Sequence, residues 1–407
     1  MNGVIHLCLA LVAFSAFSHG HHDVDHHHDH HDGIQAASKI HRNIAQFATE
    51  LYKILAPKSD NENIIISPCS ISILLSLLLL GTKSTTHAEI LKGLSFNLTS
   101  IQEEEIHQGF HELLHLLTHS DNEFKLDTGQ GLFLKDDIQP LQTFLDKIKE
   151  FYEAEIQATK FQEPKEAAKQ INDYIEKKTH GKIVELVKDL DPETVFILIN
   201  YMYFKGKWKI PFDPQFTEEA DFFVDQNTTV KVQMMQRMGW FYYYIDEQLS
   251  CTVVQMEYNG TATSFFVLPD PGKEKELDEA LSVNTLNKWA HNLQRHTARV
   301  SIPKFDISAT YSLKEPLFQL GVTDIFTDHA DLSGITEQPL KLSEVTHKAV
   351  LTADESGTEA AGATAAEAIP MSVPPDFQYN RPFLMLIFDT KANATLFVAK
   401  IKNPTQH

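Results

Sequence analysis

Apolar residues run almost unbroken from Val195 to Phe204 (VFILINYMYF), a β-rich stretch that predicts a central strand buried on both faces. Gln35 to Leu55 instead spaces its apolar positions at helical intervals and predicts an amphipathic helix. Ser67-Pro68 supplies a cap and a first-turn proline, so a second helix opens there. It leads into the apolar run Ile71 to Leu80, which is too short to span a bilayer and suits a buried helix. Glu163 to Lys178 reads as another amphipathic helix, and Lys341 to Thr352 as a long strand. Helix-rich sequence comes first and strand-rich sequence later, an α+β order rather than βαβ alternation.

The stretch after that strand, Glu355 to Pro375 (ESGTEAAGATAAEAIPMSVPP), follows a different rule. Thr358, Ala360, Gly362, Thr364, Ala366 and Ala368 are all small, whereas Glu359, Glu367 and Ile369 share the opposite parity. In a strand this alternation gives one slim inward face and one solvated face. So much Ala, Gly and Glu holds an extended shape poorly, so the segment reads as a loop able to become a strand. From this stretch alone, a flexible Ala/Gly/Glu linker is an equal reading.

With 407 residues and 43% hydrophobic content, the chain can bury a large core, and no internal repeat or Pro/Gly/Ser linker divides it. Residues 1–18 read as a signal peptide: Val4 to Phe17 is apolar and Ala16-Phe17-Ser18 is a small-residue cleavage site, although the n-region has no Lys or Arg. Cys8 would leave with it, and Cys69 and Cys251 are expected as free buried thiols. Sequons at Asn97, Asn227, Asn259 and Asn393 fit a secretory route, Asn393 least well because it precedes a predicted terminal strand. The formal charge of −20 argues against nucleic acid and anionic membranes as partners.

Six blocks carry a family resemblance: NIIISPCSISILLSLLLLGT from Asn63, NYMYFKGKW from Asn200, FFVLPDPGK from Phe265, KLSEVTHKAVL from Lys341, TEAAGATA from Thr358 and FQYNRPFLMLI from Phe377. In this order they resemble the serpins, and the small-residue block is similar to the hinge of the inhibitory members. The resemblance covers about Ile34 to His407. It implies one serpin domain over residues 34–407, with a helix-rich N-terminal part packed on three β-sheets, a long exposed reactive loop at 355–375 and a metastable native state.

It further implies a secreted suicide substrate of serine proteases, itself not an enzyme, acting as a monomer without a cofactor. Ala368, Ile369 and Pro370 would be read by the protease, and Met371-Ser372 would be the reactive bond. Met371 suits an apolar primary pocket, so chymotrypsin-like or elastase-like proteases are the expected targets; no cation lies between Gly357 and Tyr379 for a trypsin-like one. The hinge Glu355, Gly357, Thr358, Glu359, Ala360, Ala361, Gly362 and Ala363 would then insert as a strand between the Val195 and Lys341 strands. Ser67, Ser70, Asn200 and His347 would form a hydrogen-bonded cluster where those strands part. Each is equally readable as a satisfied core polar residue. Glu355 is a candidate partner of Lys304, with an ordinary surface position as the alternative. Heparin activation is not expected, because Thr99 to His119 contains no Lys or Arg. The competing functional reading is a non-inhibitory serpin that acts as a carrier or complex subunit.

Three features invite other chemistry. His111-Glu112-Leu113-Leu114-His115 is a formal H-E-x-x-H, extended by His107 and His119, but no third zinc ligand is evident and a solvated helix face is the default. His19 to Gly33 holds eight histidines and four aspartates and is expected to be disordered, either as a solubilising tail or as a zinc or copper binder. Ser372 lacks a nucleophile elbow and is expected on the leaving-amine side of the cleaved bond.

Overall fold

The computed structural model of the chain describes residues 36–59, 62–118, 125–356 and 373–406. The expected signal peptide, the His/Asp-rich segment, His119 and loop residues 357–372 lie outside the described residues. Among those described, the helices are α1 (His41–Leu55), α2 (Pro68–Leu79), α3 (Ser84–Gly93), α4 (Glu103–Thr118), α5 (Gln142–Tyr152), α6 (Pro164–Lys178), α7 (Glu274–Ala280), α8 (Val283–Asn292) and α9 (Lys314–Gln319). The strands are β1 (Ile64–Ile66), β2 (Lys125–Lys135), β3 (Ile156–Thr159), β4 (Phe196–Lys205), β5 (Glu218–Phe223), β6 (Thr229–Asp246), β7 (Cys251–Glu257), β8 (Ala262–Pro269), β9 (Gln294–Pro303), β10 (Phe305–Ser312), β11 (Glu344–Ala353), β12 (Asp376–Gln378), β13 (Phe383–Asp389) and β14 (Ala394–Ile401).

The first predicted helix is interrupted rather than continuous. Ala36 to Ser38 are helical, a turn at Lys39 and Ile40 intervenes, and α1 follows from His41. Ser67 caps α2 as expected, its side chain accepting from the Ser70 amide. Every residue of α2 is buried, which is why its sequence is apolar nearly all round rather than along one stripe. Among the described residues no helix is long and apolar enough to cross a membrane. Cys69 and Cys251 are free and buried, and desolvation pushes both thiols upward, Cys251 to about 12.

A five-stranded sheet in the order β10-β11-β4-β2-β3 sets up the functional region. β4 lies at its centre with nine of its ten residues buried, as its unbroken apolar run predicts. Ile197, Ile199, Tyr201 and Tyr203 point to one face, where Ala167, Ile171 and Ile175 of α6 cover them. Leu198, Met202 and Phe204 point to the other, into the main core with α2. Gly129 of β2 lies opposite Tyr201, and a Cβ there would stand 2.3 Å from the Tyr201 hydroxyl.

The described residues form two sheets, where three were expected. The second has nine strands in the order β1-β14-β13-β8-β7-β6-β9-β12, with β5 on β6. The 18-residue β6 joins what would otherwise be separate sheets. It pairs with β5 from Thr229 to Met234, with β9 from Met234 to Tyr243 and with β7 from Tyr242 to Asp246.

Candidate functional site

β11 lies directly against β4 in a parallel ladder running from Glu344 opposite Ile197 to Thr352 opposite Lys205. Parallel neighbours need a crossover connection, so a gap between them could take one antiparallel strand from a loop that turns back. In sequence, β11 is followed by the small-residue segment. Of its predicted site residues, Glu355 is described; Gly357, Thr358, Glu359, Ala360, Ala361, Gly362, Ala363, Ala368, Ile369, Pro370, Met371 and Ser372 lie outside the described residues.

The exit from β11 is strapped down. Lys205 Nζ lies 2.7 Å from Asp354 Oδ2, and the Trp208 indole donates to the Asp354 carbonyl at 2.8 Å. The amides of Trp208 and Phe212 donate to the carbonyls of Ser356 and Glu355. Trp208 is fixed in turn by stacking on Tyr258, with ring centroids 4.3 Å apart. Glu355 accepts from Thr217 Oγ1 at 2.7 Å and pairs with Lys304 at 2.7 Å. Desolvation raises the Glu355 pKa, but the Lys304 and Thr217 contacts outweigh it and hold the carboxyl below its ordinary range. Lys205, Trp208 and Thr217 were not singled out from sequence; the only signal was the NYMYFKGKW block, which contains the first two.

On the far side of the loop Val373 is 96% exposed. The Arg299 amide donates to the Pro375 carbonyl at 2.9 Å, and β12 then pairs in parallel with β9. β12 is an edge strand.

Ser67, Ser70, Asn200 and His347 meet where α2 starts beneath the β4–β11 seam. The Ser67 amide donates to His347 Nε2 at 3.0 Å, so that nitrogen carries no proton. His347 Nδ1 therefore donates to Asn200 Oδ1 at 2.7 Å, and Ser70 Oγ donates to the same oxygen at 2.8 Å. Asn200 Nδ2 donates to the carbonyls of Ser70 and Gly129. All four residues are fully buried. Desolvation lowers the His347 pKa to about 3, in keeping with the neutral tautomer the bonds require.

The histidine stripe on α4 faces partners other than a metal. His107 is buried against the Tyr152 hydroxyl and lies 3.6 Å from Glu103, while His111 Nδ1 bonds the Phe151 carbonyl at 3.1 Å. No group of three or more His, Cys, Asp or Glu among the described residues is arranged to hold a metal ion. Asn97 and Asn227 are exposed, and Asn259 and Asn393 are half-buried. Asn393 sits at φ 51°, in the turn between β13 and β14.

The serpin family model, described as serine protease inhibitor, matches residues 42–404. The chain is 50% identical to pig (Sus scrofa) alpha-1-antitrypsin over 381 residues, covering 93% of this chain and 90% of that protein. It is 48% identical to cattle (Bos taurus) alpha-1-antiproteinase, covering 98% and 96% respectively. Among solved structures, human thyroxine-binding globulin complexed with thyroxine superposes with a TM-score of 0.86 at 39% identity, covering 91% of this chain and 100% of that one. Mouse protein-Z dependent protease inhibitor gives 0.87 at 31%, covering 93% and 100%. With the family model spanning nearly the whole chain and close relatives matching over most of both lengths, the protein belongs to the serpin family.

Proposed function

We propose that this serpin is a secreted suicide-substrate inhibitor of extracellular serine proteases, with Met371-Ser372 as its reactive bond. In this reading residues 1–18 are the signal peptide, residues 34–407 the inhibitory domain, and Asn97, Asn227, Asn259 and Asn393 the candidate glycan sites. The protease serine attacks the Met371 carbonyl, the Ser372 amine leaves, and an ester joins the two proteins. An apolar side chain at Met371 directs this to chymotrypsin-like or elastase-like enzymes.

The fate of that ester depends on the β4–β11 seam, the observation that carries the proposal. Once cut, residues 357–371 turn back along β11 and enter between it and β4 as an antiparallel strand. One parallel ladder is exchanged for two antiparallel ones, the slightly stronger pairing, with the small even-numbered face turned inward. Fifteen residues at about 3.3 Å each carry the bound protease roughly 50 Å, far enough to distort its catalytic geometry before the ester hydrolyses. The close identity to proteins named alpha-1-antitrypsin favours this reading.

A carrier role draws support from the likeness to the thyroxine-bound globulin. The two readings separate on incubation with chymotrypsin and with elastase. An inhibitor gives an SDS-stable complex with loss of protease activity. Quantitative cleavage after Met371 with no complex would overturn the inhibitor reading.

A further inference from the structure

Around the middle of β6 the buried positions are Gly239 and Phe241, and Met238 and Trp240 face solvent; the alternation shifts again at the strand's end, where Asp246 is buried and Ile245 exposed. They are 44% and 38% exposed, unusual for side chains of this size on a strand inside a sheet. Across the ladder Met238 faces Arg299, and Tyr242 faces Arg295, so both arginines lie on that same outer face. Arg295 lies over the Trp240 ring at 5.1 Å. These are two of only five arginines in a chain of formal charge −20. Among the described residues neither guanidinium has a salt-bridge partner, although Asp376 stands beside Arg299 in the ladder.

This cationic, aromatic face abuts the returning end of the loop. The Arg299 amide holds the Pro375 carbonyl, and Pro375 follows Ser372 by three positions, a span of at most about 10 Å. A protease domain of about 230 residues has a radius of gyration of about 17 Å, so one docked at Met371-Ser372 overlies neighbouring surface on this side. A standard interface buries about 800 Å² per partner, more than one extended loop supplies. Trp and Arg are the side chains that dominate the buried centres of such interfaces.

From this continuity we infer that Met238, Trp240, Arg295 and Arg299 form a second docking surface for the target protease, fitting one with an acidic and apolar rim beside its leaving-group side. The inference rests on the inhibitor reading above. Charge at such a rim acts chiefly on the association rate.

The test compares the full-length glycoprotein with Arg295→Glu/Arg299→Glu and with Trp240→Ala against a panel of chymotrypsin-like and elastase-like proteases. Association rate constants, inhibition stoichiometry and SDS-stable complexes are each measured. The charge-reversed variant should associate at least tenfold more slowly with the proteases that carry acidic rims, with stoichiometry and complex stability unchanged. The two arginines are exposed, so its melting temperature should match the parent; Arg299→Gln is a milder check. Rates unchanged across the panel, with complexes still forming, would overturn this surface and leave the inhibitor reading standing. A parent protein that forms no complex would overturn both. Self-association of the parent in sedimentation velocity, abolished by the charge reversal, would assign the face to a second copy of this chain and overturn the inference too.

Discussion

His347 and Asn200 face each other across the parallel β4–β11 ladder, and their side chains bond at 2.7 Å beneath the seam. The bond fixes a neutral imidazole beneath the β4–β11 seam. If the loop inserts between these strands, as the proposed mechanism requires, this four-residue cluster has to be disrupted for the sheet to open.

Protonation should weaken this closure. His347 titrates at about 3 in the fold, whereas an unfolded histidine titrates near about 6.5. Between those values the unfolded chain binds more protons, so the stability His347 contributes is complete above pH 6.5 and is lost as the pH falls toward 3. Across that window the effect is roughly 5 kcal/mol. Urea unfolding from pH 7 to 4 should show a steeper loss in the parent than in His347→Gln; equal slopes would show that His347 does not govern the acid sensitivity of the fold.

Asn200→Ala strips the acceptor shared by Ser70 and His347, and the donor to two carbonyls, inside a buried network. Leaving such groups unpaired should destabilise the fold by about 2–4 kcal/mol. A guanidinium midpoint indistinguishable from the parent would contradict this.

Thr358→Arg places a cation on the face that must turn inward during insertion, where burying an unpaired charge costs several kcal/mol. Insertion slows and hydrolysis overtakes it, so the variant becomes a substrate. Titration against chymotrypsin should give a stoichiometry well above the parent's, and an unchanged value would count against strand insertion.

Oxidation of Met371 to the sulfoxide makes the side chain polar and should weaken its fit to an apolar primary pocket. Mild peroxide treatment is expected to slow association with elastase at least tenfold, and Met371→Val should be insensitive to it. An equal response from both would assign the effect to another methionine.

How far the sequence revealed this arrangement depends on how local each feature is. The α2 cap and the doubly buried β4 were legible because Ser67-Pro68 and an unbroken apolar run state them within a few residues. The pairing of β11 with β4 was not, because it joins segments some 150 positions apart and reached the reading only through family resemblance. Of the strap on the loop exit only the Glu355–Lys304 pair was anticipated; Lys205, Trp208 and Thr217 show no periodicity, and their partners Asp354 and Glu355 are distant in sequence. The third sheet, expected from the resemblance alone, is not found among the described residues, where β6 joins β5, β7 and β9 in one sheet. Within β6 Met234 and Met235 are both buried, so its alternation inverts mid-strand and gives no plain period-two signal in the sequence.

If the native fold stores energy that strand insertion releases, a single cut within residues 357–372 should let that energy out, and thermal unfolding before and after the cut reads the difference. With the cut loop seated in the β4–β11 seam, the cleaved protein should melt at least 20 °C above the intact one. Melting at or below the intact temperature would show that no such store exists.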